Sequence, residues 1–411
     1  MERQRYARGQ IHPLSPLVFA IALFPCASCS VHDGDSSRHA SNDTAVPSIM
    51  LPPLDSIQTS VWTSRLVYST LGMDDVQIGD GESLFARFLP DRSLVLATGP
   101  QLLVLKADGT FGTTLARDGE GPGEFRVISA FGIGPAGTLF ASDHLSARFA
   151  ELSQAGDMRR YIPRLRPISE DLDTHPFAML SDGRILAAPS QSRPARKPPR
   201  DATGGRIVRD AVPIARYDTA GEITDTLLLL PGLERSNGFV APFSQIALYA
   251  GRGRTWVAGV SDSLDLKVFN ETEPVGHLLA RRIGQPVSSD MRLRRNSLVQ
   301  EEWGAETGAA IASRQEEMPV TGILPDVGGV VVDDRGALWV GAYVTPGTAE
   351  RRWYVFDTNG RSLGRLDLPS LIRPLVPTRT ELLDVAYGRV AIVRTSDDGE
   401  LYLEVRDVIR E

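Results

Sequence analysis

Short hydrophobic runs, each preceded by a turn group, recur along the chain. In one kind of run, two apolar residues are followed by small ones, which suits a strand crowded near an axis. The copies are Val95-Leu96-Ala97, Leu139-Phe140-Ala141, Ile185-Leu186-Ala187, Trp256-Val257-Ala258, Trp339-Val340-Gly341 and the looser Arg389-Val390-Ala391-Ile392. Such regular recurrence indicates an internal repeat.

A second β-prone run follows each copy of the first. The copies are Leu103-Val104-Leu105, Arg148-Phe149-Ala150, Ala215-Arg216-Tyr217, Lys267-Val268-Phe269, Tyr354-Val355-Phe356 and Tyr402-Leu403-Glu404-Val405. Most end in a tight turn, such as Asp108-Gly109 or Asn359-Gly360. Two strand patterns in the same order therefore predict six repeats.

The most complete copy spans residues 118–165, with a glycine loop followed by four β-prone runs. It resembles the repeat of NHL-type and related six-bladed propellers, although Arg126-Val127-Ile128 stands where many such repeats carry a proline. The matching residues are Gly119, Gly121, Pro122, Gly123, Glu124, Phe125, Gly137, Asp143, Arg148 and Gly156. The resemblance implies an all-β fold, a six-bladed β-propeller of four-stranded antiparallel blades.

The last repeat ends near Ile409, directly after its third strand. An unpaired edge would otherwise remain there, so its outer strand is expected from elsewhere in the chain. Val61–Ser69 is β-prone and precedes the first complete repeat. We predict that this segment is the missing strand and closes the ring.

Two segments interrupt the repeat. Residues 189–209 are rich in Pro, Ser, Arg and Lys and are predicted to form a flexible basic loop within the third blade. Residues 288–318 are predicted to form a helical insertion between blades four and five, with an apolar stripe that includes Leu298, Val299 and Trp303. Two interpretations of this helix are open, a lid over the loop-bearing face and a permanently packed rim.

Length and charge narrow the classes of function. At 411 residues the chain is long for one domain, but closed all-β folds reach such lengths, so residues 56–411 are predicted to be a single propeller. The net charge of −7 argues against a nucleic-acid groove.

The N-terminus resembles a bacterial lipoprotein signal. Arginines precede a short apolar run that ends at Cys26-Ala27-Ser28-Cys29, and these two cysteines are the only ones in the sequence. Residues 1–28 are predicted to be the signal peptide, Cys29 the lipidated residue and residues 29–55 a flexible tether. An ordinary secretory signal and a C-x-x-C redox site are the alternatives. The lipid anchor would place the protein in the bacterial cell envelope, on the periplasmic or outer-membrane side.

Loops between blades and between second and third strands share one face of a propeller, where ligands are expected to bind. The candidate ligand-binding residues there are Glu82, Glu124, Asp143, His144, Arg148, Asp262 and Tyr343. Glu82 and Glu124 could equally cap backbone amides in glycine-rich turns, and Asp143 could pair with Arg148 within its blade. His144 has no Cys or His neighbour at a metal-ligand spacing.

The sequence contains no H-E-x-x-H, G-x-S-x-G or P-loop motif, so no catalytic or metal-binding residues are assigned. We therefore expect a ligand-binding or protein-interaction module without a cofactor, whose partner is a protein, a glycan or a small molecule. The alternative is a hydrolase or lactonase of the six-bladed kind, with a divalent cation in its channel. A sensor or assembly subunit is the third class considered.

Lipidation of Cys29 can be tested directly. Mass spectrometry of the membrane fraction should find an acylated N-terminal Cys29 with residues 1–28 removed, because the arginines, the apolar run and Ala27-Ser28-Cys29 form one processing signal. Cys29→Ser should release the protein from the membrane, and Cys26→Ser is the matched control that should not. An unmodified N-terminus after Cys29 would contradict the prediction.

Overall fold

The computed structural model describes residues 46–410 apart from 75, 77, 79–83, 144, 169–172, 192–206, 237–238, 321 and 372–380. These residues belong to one compact unit. The predicted signal peptide, Cys29, Glu82, His144 and the centre of the basic loop lie outside the described residues.

The described chain is mostly β-strand. The strands of its first half are β1 Ser48–Leu51, β2 Val61–Ser69, β3 Leu84–Phe88, β4 Leu94–Thr98, β5 Gln101–Leu105, β6 Phe111–Asp118, β7 Glu124–Phe125, β8 Ile128–Ile133, β9 Leu139–Asp143, β10 Arg148–Leu152, β11 Met158–Ile162, β12 Thr174–Met179, β13 Ile185–Pro189 and β14 Val208–Tyr217. Those of its second half are β15 Ile223–Ser236, β16 Phe239–Val240, β17 Ala247–Arg252, β18 Thr255–Val260, β19 Asp265–Asn270, β20 Glu273–Ala280, β21 Val327–Val332, β22 Leu338–Ala342, β23 Glu350–Phe356, β24 Ser362–Pro369, β25 Leu382–Ala386, β26 Arg389–Thr395 and β27 Leu401–Ile409.

Within the described ranges these strands form successive antiparallel meanders. The meanders are β3-β4-β5-β6, β8-β9-β10-β11, β12-β13-β14-β15, β17-β18-β19-β20, β21-β22-β23-β24 and β25-β26-β27-β2. Shorter strands extend three of them, with β7 parallel to β6, β16 antiparallel to β15 and β1 parallel to β20. The all-β prediction is confirmed.

Local turn chemistry explains why third and fourth strands meet at hairpins. Asp108 Oδ1 accepts hydrogen bonds from the backbone N–H and the hydroxyl of Thr110, and Gly109 adopts a φ of 90°. Between β23 and β24, Asp357 Oδ1 accepts hydrogen bonds from the backbone N–H groups of Asn359 and Arg361, and Gly360 adopts a φ of 74°. An Asp side chain closes the turn on its own backbone, and Gly takes the left-handed conformation without steric cost.

The first strands of the meanders surround a common axis. In the part of the chain that the structure describes, β3, β8, β12, β17, β21 and β25 contact one another in that order, and β25 returns to contact β3. The second strands lie behind them and are buried on both faces. In β4, Leu94 and Leu96 pack toward the last meander, whereas Val95 and Ala97 pack toward the next one. Burial on both faces explains why these runs are continuously apolar.

Strand β2 closes the cycle as the sequence predicts. It pairs antiparallel with β27, from Thr63 opposite Ile409 to Ser69 opposite Glu404. Its first two residues also pair with β24 in parallel. The N-terminal and C-terminal segments of the described chain are therefore joined in one sheet.

The predicted tether is too long. Residues 48–51 form β1 on the outer edge of the β17–β20 sheet, and the side chains of Leu54 and Ile57 are buried between that sheet and the next. The apolar run Ile49-Met50-Leu51 between two proline positions gives an edge strand, which a prediction from average polarity misses. Residues 46–55 therefore belong to the folded unit.

The segment predicted as a helix contains two helices, α1 Ser289–Trp303 and α2 Ala305–Glu316, which meet at Gly304 with a φ of 77°. The hydroxyl of Ser288 caps α1 by accepting a hydrogen bond from the N–H of Met291. Val299 is fully buried, but Trp303 is 49% exposed, so the expected burial of Trp303 is wrong. The contacting face instead includes Arg295, which lies over the ring of Phe243 before β17.

Trp62 is the side chain through which β2 can be tested. It is 5% exposed, lies 5.8 Å from the ring of Trp339 and covers the space where a side chain on Gly364 would be. Trp62→Ala should lower the free energy of unfolding by about 3–5 kcal/mol, because it leaves a cavity where the closing strand packs. Urea denaturation measures this change. Thr63→Ala, at the exposed neighbouring position, is the control, and equal midpoints for the two variants would contradict the role of β2.

Candidate ligand-binding site

A cavity of about 340 Å³ lies at the axis around which the first strands are arranged. All of these strands line it, through residues such as Phe85, Ala130, Phe177, Tyr249, Val330 and Leu383. A space of this size is at the lower end of the range of about 300–1,000 Å³ for small-molecule pockets. The ring geometry therefore produces a site without any dedicated loop.

Arg252 closes one end of the cavity. It is the last residue of β17, and its guanidinium reaches β3 and β25, which lie on the other side of the ring. Nη1 donates to both carboxylate oxygens of Asp384 at 2.6 and 2.8 Å, and Nη2 donates to the carbonyl of Phe88 at 2.9 Å. The N–H of Phe88 also donates to Asp384 at 2.7 Å. This network forms the floor of the cavity.

The ion pair between Arg252 and Asp384 in this floor is desolvated. The side chains of Arg252 and Asp384 are 7% and 2% exposed. Burial alone would lower the pKa of Arg252, but the neighbouring Asp384 carboxylate opposes it and the pKa is raised overall. Because both oxygens of Asp384 already accept hydrogen bonds, this carboxylate is committed to the floor.

Arg87 is the second arginine at this end of the cavity. It precedes the last residue of β3, and its Nη1 donates to the carbonyls of Ala86 and Leu383, both at 2.8 Å. Burial lowers the pKa of Arg87, with a smaller opposing effect from Asp384. An arginine stays protonated at neutral pH even so. Two guanidinium groups therefore share one carboxylate here.

Four aromatic residues of the first strands are among those that line the cavity. Phe85, Phe131, Phe177 and Tyr249 contribute to it, and the rings of Phe177 and Tyr249 lie 5.0 Å apart. Burial raises the pKa of Tyr249 to about 12, so its hydroxyl is neutral at physiological pH. The wall therefore combines apolar side chains with a substantial share of polar atoms.

The other end of the cavity has polar residues at the start of the first strand β12 and after the second strand β13. Asp173, His175 and Gln191 line it there. Gln191 exchanges two hydrogen bonds of 2.9 Å with the backbone of Ala247, and its side chain is buried.

The prediction of a flexible loop over residues 189–209 is wrong at both ends of that range. Residues 189–191 are structured and include the end of β13, and residues 207–209 are structured and include the start of β14. The intervening residues lie outside the described ones.

The predicted candidates Glu124 and Asp143 act on the backbone. Glu124 accepts a hydrogen bond from the N–H of Gly121 and pairs with Arg117, and these contacts lower its pKa in that order of effect. Asp143 is fully buried and accepts hydrogen bonds from the N–H groups of Arg126 and Leu145, both at 2.9 Å. Both residues lie outside the cavity lining and stabilise the turns around them.

The remaining described candidates are also engaged away from the cavity. Arg148 donates to the carbonyl of Glu120, and Asp262 forms a two-point ion pair with Arg209 at 2.9 and 3.2 Å. Burial raises the pKa of Tyr343 to about 12, an effect that Arg295 and Arg351 partly offset. The structure thus places these residues at separate points.

The repeat patterns in the sequence did not identify the residues of the cavity, for one consistent reason. Arg87, Asp384 and Tyr249 lie in first strands, whereas the repeat patterns came from second and third strands. Arg252 stands between Gly251 and Gly253, in one of the turn groups that precede the apolar runs. A single charged residue within each of the apolar strands β3, β17 and β25 was the available signal.

The described residues contain no group of three or more His, Cys, Asp and Glu side chains arranged to hold a metal ion. None of the helices among them has the length and apolar character needed to cross a bilayer.

No protein-family model matches the sequence, and no curated protein sequence matches it either. Among solved structures, the chain is similar to a protein of Bacteroides fragilis designated as exported, with 13% identity, a TM-score of 0.47 and coverage of 89% of this chain and 99% of that one. A member of the DUF4221 family from Bacteroides vulgatus has 10% identity and a TM-score of 0.47 over 86% and 98% of the two chains. Regucalcin, a calcium-binding protein of Agrobacterium tumefaciens, has 13% identity and a TM-score of 0.38 over 86% and 98%. Propeller-type folds recur among these structures.

The floor network gives a prediction about stability. Asp384→Leu should lower the free energy of unfolding by about 3–5 kcal/mol, because it leaves the buried charge of Arg252 without a partner. The double variant Arg252→Met/Asp384→Leu should recover most of that loss, since both charges are removed. Urea denaturation of the two single variants and the double variant forms a complete cycle.

Asp367→Leu is the matched control for this cycle. Asp367 pairs with Arg352 at 3.0 Å, but the two side chains are 32% and 39% exposed. Its removal should cost less than about 1 kcal/mol, as exposed ion pairs do. A loss at Asp384 no larger than at Asp367 would show that the floor does not depend on this ion pair.

Proposed function

We propose that this chain is a six-bladed β-propeller, anchored in the bacterial cell envelope through Cys29, that binds a small molecule in its central cavity. The observation that carries the proposal is the cavity itself, an aromatic-walled space at the axis with a floor built across the ring by Arg252 and Asp384. A rigid scaffold that surrounds an apolar space with a few polar groups is the usual form of a small-molecule site.

The six-bladed architecture is supported by the strand pairing. Six meanders of four strands contact one another through their first strands within the described residues, and β2 supplies the outer strand of the last one. The helices α1 and α2 are proposed as the insertion between the fourth and fifth blades. They connect the end of β20 to the start of β21, on the face where the first strands begin.

The cell-envelope location is supported by the N-terminal sequence. The arginine-rich start, the apolar run and the Ala27-Ser28-Cys29 sequence match a lipoprotein signal. The residues from Cys29 to Ala45 would then link the anchor to the folded unit. Roughly 3.3–3.6 Å of reach per residue allows this link to hold the propeller clear of a membrane surface.

Binding is favoured over catalysis because the carboxylate at the floor is engaged. Both oxygens of Asp384 accept hydrogen bonds from Arg252 and Phe88, so this group serves the fold. The alternative, a metal-dependent hydrolase or lactonase, stays open. Elemental analysis for divalent metals and hydrolysis of simple lactones by the purified protein would distinguish it, and stoichiometric metal with lactone turnover would favour it.

Cavity binding can be tested without knowing the natural ligand. A thermal-shift screen of small organic compounds should identify some that raise the unfolding midpoint through saturable binding. Ala250→Trp should abolish these shifts, because Ala250 is half-buried in the cavity lining and a tryptophan there would fill the space. Thr63→Trp, at an exposed outer position, is the control that should keep them. Shifts that persist in Ala250→Trp would place binding elsewhere.

A further inference from the structure

The charge of the cavity floor is unbalanced, and this imbalance points to the class of ligand. Asp384 compensates Arg252, and no carboxylate among the described residues forms an ion pair with Arg87. The hydrogen bonds that Arg87 makes to described residues use Nη1 alone. The rest of its guanidinium fork is therefore left for a partner in the cavity.

The two carbonyl acceptors also fix the direction of Arg87. Ala86 belongs to the same strand and Leu383 to the neighbouring first strand, so the guanidinium is held at the edge between β3 and β25. A guanidinium held in this way loses little further freedom when it binds an anion. Its planar fork matches the geometry of a carboxylate or a phosphate.

Other titratable groups of the lining do not cancel this charge. Asp173 and His175 lie at the start of β12, at the opposite end of the cavity, whereas Arg87 is near the end of β3. First strands of this length place the two ends on the order of 10 Å apart, at about 3.3 Å per residue. Tyr249 is neutral because burial raises its pKa to about 12.

We propose that the cavity takes a small organic anion, whose acidic group binds Arg87 and whose apolar body lies against Phe85 and Phe177. This inference rests on the proposed function of the cavity as a binding site and specifies what is bound. An anion is favoured because it compensates the excess positive charge at the floor, which a cation would increase. An apolar body is favoured because apolar atoms form the larger share of the wall.

A matched pair of probes separates charge from shape. 1-Naphthoate and 1-naphthalenemethanol have the same ring system, but only the first is an anion at neutral pH. Isothermal titration calorimetry should find that wild-type protein binds the naphthoate about tenfold to hundredfold more tightly. That range corresponds to one charge-assisted hydrogen-bonded contact.

Variants at Arg87 assign the preference to this side chain. Arg87→Gln should remove the preference for naphthoate while binding of the neutral probe stays within about threefold of wild type. Arg87→Lys keeps the charge but not the fork, so it should retain part of the preference. Arg65→Gln, which removes a 74% exposed arginine from the outer strand β2, is the control and should change neither affinity. Circular dichroism and thermal unfolding verify that each variant is folded.

The outcomes distinguish this inference from the proposed function. If both probes bind equally and Ala250→Trp abolishes both, the cavity is a binding site but the anion assignment is wrong. If the preference for naphthoate persists in Arg87→Gln, another group recognises the charge and the assignment to Arg87 is wrong. If wild-type protein binds neither probe, or if Ala250→Trp leaves binding intact, the proposal that this cavity binds such a ligand fails with it.

Discussion

The pairing of β2 with β27 is the constraint on which the ring of sheets depends. Every other meander is formed by strands that are consecutive in the sequence, but the last one ends after three. Without β2, the strand β27 would expose a row of unpaired backbone groups next to β24. Because the closing strand comes from the other end of the folded chain, the ring closes only when both ends are in place.

Closure of the ring determines what the cavity contains. The side chains of the first strands mostly pack into the spaces between neighbouring sheets, so backbone and a small number of side chains face the axis. Each charged group there is removed from bulk water and needs a partner. Arg252 obtains one by crossing the ring to Asp384 and Phe88, and in doing so it also ties opposite sides of the ring together.

The fold could largely be predicted from the sequence, whereas the site could not. Turns such as Asp108-Gly109, apolar runs such as Leu94–Thr98 and the unpaired end at β27 are local signals, and each led to a correct strand. The contacts of Arg252 with Phe88 and Asp384 join residues 164 and 132 positions apart. No local pattern encodes such contacts. Glu124 and Asp143 were conspicuous because glycine-rich turns need backbone caps, which is what both provide.

The two helices pack on one face of the ring. Arg295 of α1 lies over Phe243, Arg314 of α2 lies over Phe239, and Arg294 packs beside Gly347 in the loop after β22. These contacts are on the face where the first strands begin, which is the end of the cavity opposite to Arg252. The two ends of the cavity therefore differ in what surrounds them, since the helices pack on one face and the buried Arg252–Asp384 pair lies toward the other.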